Sequence, residues 1–104
     1  MAKRFDIVEN PNKAQRQLYP YLLVLQHDRV TSIQSVIVAP LVAASRGPQP
    51  GRIHPLLDVN GEQYVLLTED LASIPRRRLG PAITSAEARH YEIIAALDML
   101  FTGI

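Results

Sequence analysis

The sequence has no cysteine, no tryptophan and only two phenylalanines. It also has no apolar run long enough to cross a bilayer. The missing cysteines exclude a disulfide framework and any thiolate zinc site. Charge of one sign is scarce too: the formal net charge is +1. That value gives no general electrostatic reason to bind nucleic acid, and it excludes no protein partner. No P-loop, dinucleotide fingerprint or nucleophile motif occurs. The three histidines, His27, His54 and His90, are far apart, and none is at metal-ligand spacing from another. No cofactor and no bound metal are therefore expected. The stretch MAKRFDIVEN contains no apolar signal segment, so a cytoplasmic protein is expected. What is present is apolar substance, 47% of 104 residues. That suffices for a single domain over residues 1–104, of a size at which partners often add burial.

Taken in order, Phe5 to Val8 predicts a half-buried strand with Phe5 and Ile7 on one face. Tyr19 to Leu25 predicts a central strand covered on both faces, with Pro20 tolerated at its entry. His27-Asp28-Arg29 breaks that run, and Val36 to Leu41 predicts a second buried strand rich in β-branched residues. Residues 43–52, AASRGPQPGR, hold two glycines and two prolines and predict a surface excursion. Ile53–Val59 and Gln63–Thr68 flank Asn60-Gly61, a strong hairpin signal because that dipeptide accepts positive φ at both positions. Glu69 to Ser73 predicts one helical turn. Pro75 and Pro81 bracket a short edge strand holding Arg76-Arg77-Arg78. Thr84 and Glu87 have the spacing of a capping box, which predicts a helix of about 17 residues ending at Gly103. The fold class is α+β, mostly β: a small antiparallel barrel or sheet of five or more strands with a C-terminal α-helix.

From Ile93 to Phe101 the only charged residue is Asp98, and a helix apolar all round must be covered on more than one side. One small barrel or sheet can cover only one side, and a second copy is the simplest cover for the rest. A homodimer is expected, with Ile93, Ile94, Leu97 and Leu100 at its interface. Beyond the helix, Gly103 and Ile104 allow two readings. One is a C-cap, with Gly103 left-handed and Ile104 folded back towards Met99. The other is an apolar tip that contacts another protein.

The chemical groups carry weaker signals. His27-Asp28-Arg29 brings together an acid, a base and a cation, a set that general acid–base catalysis can use, but neighbours in a turn point apart, which favours a solvated loop. His54 beside Pro55 reads as structural. Arg76 to Arg78 fits a charged edge that discourages sheet pairing, a phosphate patch, or a dock for an acidic partner segment.

Three stretches carry a resemblance along the whole chain: Ala95–Ile104 (AALDMLFTGI), His54–Pro75 (HPLLDVNGEQYVLLTEDLASIP) and Tyr19–Leu41 with its VIVAPL strand. Together they resemble the CcdB family, plasmid and chromosomal toxins that poison DNA gyrase. The resemblance implies a sheet related to SH3-like barrels, with the helix near the two-fold axis of a homodimer. It implies no catalytic group, and a complex with the gyrase A subunit that traps cleaved DNA and blocks replication. It also implies a cognate antitoxin whose disordered tail folds on binding. Carried over by position, the gyrase contacts are Phe101, Thr102, Gly103 and Ile104, with Asp98 one turn earlier and Arg29 and Val30 in the turn. The best-known member has Trp at the position of Thr102 and an apolar residue at that of Arg29. A sister group on a related barrel cleaves RNA, so the alternatives are a ribosome-independent endoribonuclease toxin, or a CcdB-like protein whose target is weakened or altered.

Overall fold

The computed structural model describes residues 2–30 and 34–104. Among the described residues seven strands form one antiparallel sheet: β1 (Asp6–Glu9), β2 (Tyr21–Val24), β3 (Ser35–Ala43), β4 (Leu56–Val59), β5 (Glu62–Leu66), β6 (Ala72–Pro75) and β7 (Ala82–Ser85). Their order is β4-β5-β3-β2-β1-β7, with β6 also paired to β3. One helix, α1 (His90–Thr102), follows. This is the expected α+β, mostly-β architecture.

Side-chain alternation builds two cores, one on each face of the sheet. Ile7, Leu23, Ala39 and Leu41 fall on one face, with Phe5, Leu57, Leu66 and Ile93 of α1. Val8, Leu22, Val24, Val36 and Val38 fall on the other, where Ala2, Ile74 and Leu79 pack against them. Successive residues of β1, β2 and β3 thus serve opposite cores, which is why these strands read as nearly continuous apolar runs.

The hairpin forms at the predicted place. Asn60 and Gly61 take φ of 54° and 90°, and Val59 pairs with Glu62. The Asp58 carboxylate accepts the Gly61 N–H at 2.8 Å.

Three expectations are corrected. Thr84 caps no helix, because it lies in β7 opposite Ile7. The Ser85 hydroxyl accepts the Glu87 N–H at 3.1 Å instead, residues 87–89 form a 3-10 turn, and α1 has 13 residues. Glu69 to Ser73 makes no helical turn. It bends and then enters β6, since Ile74 and Ser73 pair with Val36 and Ile37. Arg76 to Arg78 form a 3-10 turn after Pro75, not an edge strand, so they do not alternate between two faces.

Candidate binding tip and groove

The helix already has one side covered. Ile93 and Ala96, three residues apart, are fully buried against the sheet, and Ile94 and Leu97 lie half-buried beside that core. Ile93 therefore sits inside its own chain and has no surface to offer a second copy. Other positions stay open, although Leu100, seven residues on from Ile93, shares its face. Tyr91, Met99 and Phe101 are exposed, and Leu100 is half-buried.

The helix ends as a left-handed cap. Gly103 has φ 75°, and its N–H donates to the Met99 carbonyl at 3.0 Å. Thr102 reinforces this end, its hydroxyl donating to the Asp98 carbonyl at 2.6 Å and accepting the Ile104 N–H at 3.4 Å. Such local bonding is what a short polar side chain does at a helix terminus. The backbone at the tip is thereby satisfied, yet Phe101 is 69% and Ile104 75% exposed. Ile104 does not bury itself on Met99, so the cap explains the glycine and leaves the isoleucine unexplained.

Beside the tip lies an apolar groove of about 450 Å³, lined by Leu25, Gln26, Ile37, Leu71, Ala72, Ser73, Leu97 and Phe101. It joins residues distant in sequence: those just past β2, the first part of β3, the start of β6 and the last turns of α1. Gln26 ties the groove to the next turn. Its amide donates to the Val30 carbonyl at 2.7 Å, and its oxygen accepts the Ile37 N–H at 3.2 Å. Arg76 reaches the same Val30 carbonyl at 3.4 Å. Arg29 and Val30 are thus hung, through Gln26, on the groove that Phe101 walls. Gln26, Ile37 and Leu71 were missed in the sequence reading. Ile37 had a signal, since period two places it on the face opposite Val36 and Val38. Gln26 had none.

The acid–base candidates are committed to backbone groups. The Asp28 carboxylate accepts the Arg4 N–H at 2.8 Å, and His27 Nδ1 accepts the Arg29 N–H at 3.1 Å. His90 Nδ1 faces the Glu87 carbonyl at 2.9 Å, so it donates there. Each of these bonds shapes a turn or a helix start. His54 Nε2 lies 2.9 and 3.0 Å from the two oxygens of Glu69. Burial pushes the Glu69 carboxyl up, but the His54 hydrogen bond, its own backbone N–H and the His54 charge together hold it below its ordinary value.

Comparison with known proteins places this architecture. The fold is similar to a mycobacterial endoribonuclease solved in complex with its cognate antitoxin, with TM-score 0.72 and 12% identity over 95% of this chain and 93% of that one. It is also similar to a toxin from Mtb, with TM-score 0.61 and 22% identity over 83% and 92%. No curated protein matches the chain. The family model described as CcdB protein matches residues 4–103, nearly the whole length, and the chain belongs to the CcdB family.

Proposed function

We propose that this chain is the toxin of a type II toxin–antitoxin system and that it poisons DNA gyrase through its C-terminal tip. Family membership supports the toxin, and the antitoxin-bound structural neighbour supports a cognate antitoxin as its regulator. The observation that carries the gyrase reading is an apolar tip left in solvent after its backbone has been capped. A rigid, capped end loses little conformational freedom on binding. Gly103 lets a partner backbone approach, and Ile104 can fill a pocket for roughly 1.5–3 kcal/mol. Asp98, Thr102, Arg29 and Val30 frame the same end. The toxin contributes no catalytic group: it binds the opened, DNA-cleaved conformation of the A subunit more tightly than the closed one. A ligand shifts such an equilibrium only through that difference. The active form is a homodimer, in which Leu97 and Leu100, with Ile94, meet their counterparts beside the groove. It acts in the cytoplasm and stabilises the inheritance of its operon.

A second reading, an endoribonuclease, is favoured by one observation, the similarity of the fold to a mycobacterial endoribonuclease. Incubation with gyrase and supercoiled plasmid, and separately with RNA, discriminates the two. Linear plasmid with intact RNA is the expected result; degraded RNA with unbroken plasmid overturns the gyrase reading.

A further inference from the structure

Between β5 and β6 the chain leaves the sheet. On β3 the flanking pairs are Leu41 with Leu66 and Val38 with Ala72. Only Ala39 and Pro40 therefore oppose the residues from Leu67 to Leu71. Pro40 has no N–H to offer this edge, and a proline within a sheet is tolerated at such an interruption. Two backbone bonds hold the break: Leu67 N–H to the Pro40 carbonyl and Asp70 N–H to the Leu67 carbonyl, both 3.0 Å. Inside it Thr68 is completely buried, and its hydroxyl has no hydrogen-bond partner among the described residues. An orphaned hydroxyl opposes the closed conformation, because water would satisfy it if the break opened.

The side-chain tie from the break runs from Glu69 to His54, in the turn before β4, with both carboxylate oxygens engaged at 2.9 and 3.0 Å. The His54 end is firmly held, its side chain only 16% exposed and its backbone exchanging bonds with Gly51 at 3.0 and 3.2 Å. Directly after the break, Leu71, Ala72 and Ser73 form the wall of the groove that faces Leu97 and Phe101.

We propose that the His54–Glu69 pair is a latch that holds the Leu67–Leu71 break closed over Thr68 and so positions one wall of the groove beside the tip. Both are positioning residues, since neither lines the groove. The latch stands on its own geometry, and its use for target binding rests on the function proposed above.

Hydrogen exchange and NMR on the full chain test it without gyrase. Glu69→Ala should speed exchange of the Leu67 and Asp70 amides about tenfold, the scale of losing one hydrogen bond to a charged group. The β2 amides should keep their rates, as expected of a local opening, and the Phe101 ring resonances should shift. Thr68→Val, which removes the orphaned hydroxyl at constant shape, should slow the same two amides. The double exchange His54→Glu with Glu69→His should return both the amide rates and the Phe101 resonances towards those of wild type. Uniformly faster exchange throughout the sheet, unchanged Leu67 and Asp70 rates, or an unmoved Phe101 ring in Glu69→Ala overturns the proposal. Because the wild-type plasmid assay is separate, absence of linear product there speaks only against gyrase.

Discussion

At the scale of residues, the tip offers the sharpest tests. Ile104 is 75% exposed, so Ile104→Asp should leave the melting temperature unchanged. If Ile104 fills a target pocket, the same change removes roughly 1.5–3 kcal/mol of binding. That is about a tenfold to hundredfold rise in the concentration needed to linearise plasmid. Equal potency at equal folded concentration would mean that the tip is not the contact. Thr102→Trp sets two effects against each other. It loses the bond to Asp98 (2.6 Å), worth about 0.5–1.5 kcal/mol of stability at most on an exposed turn. It gains a ring able to stack on a target cation for about 0.5–2 kcal/mol. Only the second enters target affinity directly, so poisoning should strengthen while the melting temperature falls slightly. Glu69 makes a prediction in pH. Its carboxyl is held below its ordinary value of 4.5, so the pair's contribution is present above that pH and is lost as pH falls through the folded-state value. Denaturant titrations from neutral pH downward should show wild type losing stability below about pH 4.5 more steeply than Glu69→Gln. Parallel acid limbs would remove the pair as a source of stability.

At the scale of elements, α1 is where the sequence reading was most nearly right and also misjudged. The left-handed Gly103 and the hairpin at Asn60-Gly61 were legible because each depends on residues that accept positive φ locally. The central strands were legible because two cores require apolar residues at successive positions. The start of the helix was not. Pairing of Thr84 with Ile7 is a tertiary contact that outweighs a local capping preference, and no local pattern records it. The strand break was missed for a related reason. Pro40 disrupts its neighbour across the sheet, and which segment becomes that neighbour is invisible along the chain. The candidate site was half legible: Phe101 to Ile104 stand together in sequence, whereas Gln26, Ile37 and Leu71 meet them only through the fold. Ile93 shows the limit of composition, since an apolar run requires cover on more than one side without saying which residue faces the sheet, and Ile93 faces the sheet and not a partner. The dimer proposal then rests on the half-buried Ile94, Leu97 and Leu100, which border the buried stripe. Leu97→Asp should leave a charge against the groove, which costs heavily if a second copy covers it. Sedimentation should show wild type as a dimer at micromolar concentration and Leu97→Asp as a monomer; a folded wild-type monomer there refutes the interface.

At the scale of the whole molecule, the choice is between a protein that holds another protein and one that cuts RNA. A net charge of +1 offers little attraction to a polyanion. The three arginines are flanked in sequence by Pro75 and Leu79, not by aromatic rings, so successive bases gain no interleaved stacking platform. The groups able to move protons, His27, Asp28 and His90, are bonded to backbone atoms at 3.1, 2.8 and 2.9 Å. Replacing them by alanine would confuse the question, because the turn that carries Arg29 and Val30 would lose its acceptors. His27→Asn, Asp28→Asn and His90→Gln avoid this. An asparagine oxygen accepts the N–H two residues on, as in an Asx turn, and in Asp28→Asn the remaining side-chain oxygen can still accept from Arg4. The triple variant should fold as wild type by circular dichroism and linearise plasmid within a few-fold of wild type. Should it keep its fold and its dimer mass yet lose growth inhibition, those side chains perform chemistry, and the endoribonuclease reading replaces the gyrase poison.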